Sequence, residues 1–221
     1  MDLSDLEGVH AGETAWVFGS GGTLNHLHPE FFRDKLVIAT NLGPVRFGIE
    51  RPQFLFTHYH SVAAQAADIA SVVVSLAKDT LTYQPWQGDL PDNVVLIPQD
   101  TYAGPSDRWD PNSTHRPRPD SLVYGSSSLH GAMHLAAHVG AAHIVMVGAD
   151  CGILDGQSNL DGYRGFQDAA HRDRILSLYE RDHKRMKRYL VDTYGVTVYS
   201  LNPFINFNLE GHSFVGPDGR Y

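Results

Sequence analysis

Six short apolar runs punctuate the chain, at residues 15–19, 35–41, 54–58, 94–99, 143–150 and 196–201, each closed by turn-forming residues. Several of them, LVIAT, VVLI and HIVMVG among them, are continuously apolar rather than alternating. A strand covered on both faces has no polar side to show, so these runs predict buried parallel strands. Residues 61–78, 126–139 and 167–194 have helical composition and fall between the runs. Alternating strand and helix predict an α/β fold: a doubly wound, mostly parallel, Rossmann-like sheet with helices on both faces.

In the last helix Ile175, Tyr179, Met186 and Leu190 recur at helical spacing and predict the core-facing stripe. The opposite face carries Arg172, Arg174, Arg181, Lys184, Arg185, Lys187 and Arg188, interleaved with Asp173, Glu180, Asp182 and Asp192. Such a face reads as solvated, with a surface for an anionic acceptor or partner as the alternative. Residues 100–122 break the rhythm: the stretch is proline-rich and aperiodic, which suits a lid or acceptor loop inside one α/β domain spanning 1–221.

Composition narrows the partners. A chain of 221 residues with 42% hydrophobic content can bury one sizeable core. Its net charge of −8 argues against bulk nucleic-acid or anionic-lipid binding. The single cysteine, Cys151, rules out an internal disulfide framework or a multi-cysteine zinc site and fits a reducing, cytoplasmic location. No run reaches the ~18 apolar residues a membrane span requires.

The chemistry-bearing residues cluster at the predicted strand exits. Ser20, Gly21, Gly22 and Thr23 follow the first strand; glycines there let backbone approach a ligand, and helix-start N–H groups can face an anion. The stretch is neither a dinucleotide fingerprint, since Leu24 stands where a glycine belongs, nor a P-loop, since it has no lysine. Asn41 ends the second strand and can both donate to and accept from a ribose or base edge. His58 and His60 follow the third, where they serve either as edge-of-pocket groups or, with Asp150, as metal ligands. Ser126, Ser127 and Ser128 open a helix, and Asp150 tips the strand beyond it.

In this order the motifs resemble the bacterial Cst-type sialyltransferases and their wider relatives, the motility-associated flagellin glycosyltransferases and the archaeal 6-hydroxymethylpterin diphosphokinases. VFGSGGTLNHL is similar to that group's opening strand and glycine turn, LVIATNLGPVRFGIERPQFLFTHYH to its second segment, SSSLHGAMHLAAHVGAAHIVMVGADCGILDG to its serine-led helix, strand and Gly-x-Asp, and KRYLVDTYGVTVYSLNP to its last helix and strand. The resemblance implies a nucleotide sugar, a CMP-sugar in the sialyltransferases, as co-substrate held across Ser20, Gly21, Thr23, Asn41 and Ser128. It implies metal-independent transfer with no required cofactor, Tyr163 near the place of a phosphate-contacting tyrosine, and His171, then His183, nearest the base that deprotonates an acceptor hydroxyl. The family often assembles, so a homo-oligomer stays open. Two other readings stand beside this one: an ATP- and Mg²⁺-dependent, pterin diphosphokinase-like phosphotransferase using Asp150, Asp155 and Asp161, and a nucleotide-binding module without turnover.

Overall fold

The computed structural model describes residues 1–98, 122–123, 126–163 and 168–201. Among these residues seven strands, β1 (Thr14–Phe18), β2 (Leu36–Thr40), β3 (Phe54–Thr57), β4 (Val72–Leu76), β5 (Val94–Ile97), β6 (His143–Val147) and β7 (Thr197–Leu201), form one sheet in the order β5-β4-β3-β2-β1-β6-β7. Every neighbouring pair is parallel. The order runs outward from β1 in one direction through β5, then returns to place β6 and β7 on its other side. Direction therefore reverses at β1, and parallel strands leave a crevice beyond their carboxyl ends at that point.

Among the described residues four α-helices accompany the sheet: α1 (Gly43–Phe47), α2 (His60–Ala66), α3 (Ser128–His138) and α4 (Ala169–Tyr194). One expected helix is corrected. Residues 61–78 divide into the short α2 and the strand β4, because the β-branched run Val72-Val73-Val74 restricts side-chain rotamers in a helix and packs well on a pleated surface. The presumed lid at residues 100–122, apart from Leu122, and the tail from 202 lie outside the described residues. Among those described, no helix is long and apolar enough to cross a membrane.

Strand residues serve both faces, which explains the unbroken apolar runs. On β1, Ala15 and Val17 join the cluster under α3, while Phe18 packs with Phe32, Val37 and Val147 on the opposite side. Helix α3 is buried almost all round, between the sheet and the overlying α4. It approaches the sheet closely at Gly131, where an added Cβ would stand 2.2 Å from Cζ of Phe56. Only a residue without Cβ lets the helix lie so near that ring.

The buried line of α4 is Leu176, His183, Met186 and Leu190, with Asp182 beside it. Met186 and Leu190 are core, as their spacing predicts. Ile175 and Tyr179 are only half-buried, because two polar residues, His183 and Asp182, occupy the inward face that an apolar search passes over. The helix stops at Gly195, whose φ of 68° lies in the left-handed region that glycine adopts without strain.

Candidate functional site

A cavity of about 380 Å³ opens at the carboxyl ends of β1, β2, β3 and β6, where the sheet order reverses. The size is typical of a site for a small organic ligand. Of the residues singled out in the sequence, Ser20, Gly21, Asn41, His58, Ser126, Ser127, Ser128, Asp150, Tyr163 and His183 line it; Gly22, Thr23, His60 and His171 do not.

The glycine turn is more committed than its sequence suggests. Gly21 N–H donates to the Gly148 carbonyl at 2.8 Å. Thr23 N–H, at the start of the short 3-10 helix Gly22–His26, donates to Asp150 Oδ2 at 2.7 Å. A carboxylate from β6 thus takes the helix-start position that the sequence reserved for a ligand's anion. A Cβ on Gly21 would stand 2.5 Å from that same oxygen, so glycine is required for the two loops to meet. Asp150 is 3% exposed, and its Oδ1 has no hydrogen-bond partner among the described residues. Burial raises its pKa, while bonds from Thr23 and the nearby His26 act the other way.

The three serines have three different jobs. Ser126 Oγ donates to Asp182 Oδ2 at 2.7 Å and ties the start of α3 to α4. Ser127 is the N-cap of α3, accepting the Leu129 N–H at 3.2 Å. Ser128, buried on the cavity wall, is the hydroxyl available to a ligand.

Asn41 sits just beyond β2 with φ of 52°, a left-handed conformation asparagine tolerates. Its Oδ1 accepts a hydrogen bond from the Thr57 hydroxyl at 2.7 Å. The two histidines after β3 part company. His58 is buried on the cavity wall, whereas His60 begins α2, its ring nitrogen 2.7 Å from the Leu76 carbonyl and its N–H on Asp79 Oδ2. Among the described residues no three His, Cys, Asp or Glu side chains converge as metal ligands. Asp155 lies against His26 and Asp161 against Asn25, two residues of the short 3-10 helix that also carries Thr23.

The candidate bases also separate. His171 is exposed in the first turn of α4, with its ring nitrogen accepting from Arg174 at 3.3 Å. His183 lines the cavity at 1% exposure. Burial pushes its pKa down to about 4, opposed by the Tyr179 carbonyl, Asp182 and Glu180, so it is neutral near pH 7. Its Nδ1 meets the Tyr179 carbonyl; a carbonyl only accepts, so Nδ1 carries the proton and Nε2 holds the basic lone pair. His130 Nε2 lies 3.3 Å from the same Nδ1, and Cys151 Sγ at 4.0 Å. The Cys151 thiol is held protonated, chiefly by burial.

Tyr59 and Tyr179 join Tyr163 on the wall. Burial first, then the neighbouring tyrosines, raises the pKa of Tyr163 and Tyr179, so both hydroxyls stay protonated and able to donate. Tyr179 is the site residue that periodicity hides, since its spacing matches the apolar stripe of α4. A polar tip on a residue flanking His183 is the one signal that distinguishes it.

No family model matches this sequence, and no curated protein sequence matches it. Among solved structures, the chain is similar to the sialyltransferase CstII from Campylobacter jejuni, whose structure was determined in complex with a substrate analogue, cytidine-5'-monophosphate. The TM-score is 0.53 at 12% identity, covering 96% of this chain and 88% of that one. The two share a fold.

Proposed function

We propose that this chain is a glycosyltransferase that moves a sugar from a nucleotide-activated donor, a CMP-sugar by preference, to an acceptor hydroxyl, with no required metal or other cofactor. The observation that carries the reading is the polar cavity at the reversal of strand order, lined by Ser128, Asn41, Asp150, three tyrosines and a neutral histidine. Its fold is one that a sialyltransferase also uses.

In this reading Ser20, Gly21, Asn41, Ser128 and Asp150 hold the donor. Tyr163, with Tyr59 and Tyr179 beside it, donates hydrogen bonds to the phosphate as it departs; protonated phenols stabilise that growing charge without a cation. His183 is the general base. The acceptor oxygen forms the new bond to the sugar and gives its proton to Nε2, while the sugar–phosphate bond breaks and its electron pair leaves with the nucleotide. In this reading His183 takes the base role in place of His171, which is not among the described residues that line the cavity.

A thermal-shift panel of CMP, CDP, UDP, GDP and ATP, each with and without Mg²⁺, tests the reading. A nucleotide present at ~100 times its Kd adds about 2.7 kcal/mol of stability when the unfolded chain does not bind it. Stabilisation by CMP without metal, together with hydrolysis or transfer from a CMP-sugar, is expected. Stabilisation only by ATP with Mg²⁺ would favour the phosphotransferase, and binding without turnover would leave a nucleotide-binding module.

A further inference from the structure

Thr57, the last residue of β3, is completely buried. Its oxygen accepts the Tyr59 N–H at 3.2 Å, and it lies 2.7 Å from Asn41 Oδ1. A buried hydroxyl hydrogen needs an acceptor, and the Asn41 oxygen is the one within reach. That bond determines which way round the Asn41 amide sits. With Oδ1 engaged by Thr57, the NH₂ group, which has no acceptor among the described residues, is the part of Asn41 left for a ligand in the cavity. In the reverse orientation the amide would donate to the Thr57 oxygen, the buried hydroxyl hydrogen would lose its acceptor, and the amide oxygen would face the ligand.

We infer that Thr57 is a positioning residue that makes Asn41 a hydrogen-bond donor, so that the ligand atom seated at the end of β2 is an acceptor oxygen of the nucleotide rather than an amino group. The inference rests on the nucleotide-binding reading above and adds the polarity of one contact to it. Sequence offers no such choice, because an asparagine both donates and accepts. The register does: Thr40 of β2 lies beside Phe56 of β3, which brings Asn41 and Thr57, the next residue on each, side by side.

The test measures the Kd for the nucleotide that best stabilises the full chain, with urea unfolding of each variant alongside. Thr57→Val keeps the shape and removes the hydroxyl; the expected result is a Kd about 10-fold weaker, as for one neutral hydrogen bond left unsupported. Thr57→Ser restores the hydroxyl and is expected to bind within about 2-fold of the original chain. In an Asn41→Ala background, Thr57→Val is expected to change Kd no further, because its effect passes through the amide. Asn41→Asp replaces the donor with an oxygen and is expected to weaken binding at least ~100-fold. Should Thr57→Val fail to fold, the Thr57→Ser and Asn41→Asp pair decides. Unchanged affinity in a folded Thr57→Val chain, an undiminished effect in the Asn41→Ala background, or tight binding by Asn41→Asp would overturn the inference. An unmodified chain that binds none of the nucleotides would instead overturn the proposed function.

Discussion

Acid should destabilise this fold unusually early, through three histidines that are buried and neutral. His130 and His183 meet beneath the cavity, and His134 bridges α3 to two other segments, accepting the Val123 N–H at 2.7 Å and lying 2.6 Å from the Tyr194 hydroxyl. Burial lowers all three pKa values: His134 to about 3, His183 to about 4, and His130 well below its ordinary value, with His183 and His58 adding to the effect. An unfolded chain protonates the same residues near pH 6.5, so it binds more protons than the native state between roughly pH 6.5 and 4. Stability is therefore full above the unfolded value and falls as pH drops below it. Between pH ~7.5 and ~5.5 His134 and His183 each cost about 1.3 kcal/mol, about 2.6 kcal/mol together, and His130 adds in the same direction. The native values of the first two hardly enter this figure, since both lie more than a unit below the lower pH. Asp150, raised by burial, works in the opposite direction. Asp79 is held below the ordinary carboxylate range by the N–H groups of Thr82, His60 and Leu81, which outweigh its burial, so it titrates beneath this window. Urea unfolding at the two pH values should show a midpoint shift at constant slope, equivalent to a Tm drop of at least about 5–10 °C for a chain of this length. His134→Leu should remove about 1.3 kcal/mol of the pH dependence. Stability that is flat across the interval, or His134 and His183 titrating near pH 6.5 by NMR, would refute the reasoning.

Other outcomes follow from single contacts. Gly131→Ala drives a methyl group into the Phe56 ring and should destabilise the chain by about 1–3 kcal/mol in urea, with nucleotide affinity measured alongside to separate stability from binding. Gly21→Ala meets Asp150 Oδ2 and the Gly148 carbonyl, so calorimetry should show nucleotide affinity lost before global stability is. His183→Gln should lower the transfer rate ~10²–10⁴-fold, whereas His171→Ala should leave it within about 2-fold; equal losses in both would remove His183 from its role. Ser126→Ala breaks the bond to Asp182 and should reduce stability by about 1 kcal/mol or more with little effect on Kd, while Ser128→Ala should do the reverse.

Six strands were legible, β2 and β3 most plainly, because burial along their whole length leaves an unbroken apolar run that needs no partner to be recognised, whereas the edge strand β7 is partly exposed. The seventh, β4, was hidden by the alanine-rich stretch before it, where only the three valines mark the change. At the site, residue types and their order along the chain pointed to the edge of the sheet where the cavity lies. What they could not convey was pairing at long range. Thr23 N–H meets a carboxylate 127 positions away, and Ser126 meets one 56 positions away; each bond withdraws a group that in isolation reads as ligand-facing. His171 and His183 look alike as letters in one helix, twelve residues apart. Their difference is helical phase, and it becomes visible only when His183 is counted with Leu176, Met186 and Leu190 on the buried line.

The central strand joins neighbours acquired at very different distances. β1 pairs with β2 about 20 positions along the chain but with β6 roughly 130 positions along. Closing the longer loop costs about 1.5 kcal/mol more entropy than closing the shorter one. The β1–β6 seam is therefore the harder junction to nucleate during folding, and the cavity lies directly on it, with Ser20 and Asn41 on one side and Asp150 on the other. A ligand that touches both sides acts as a clasp across that seam: it adds nothing to the fold of either half, yet it slows their parting, so bound nucleotide should register first as a longer unfolding time.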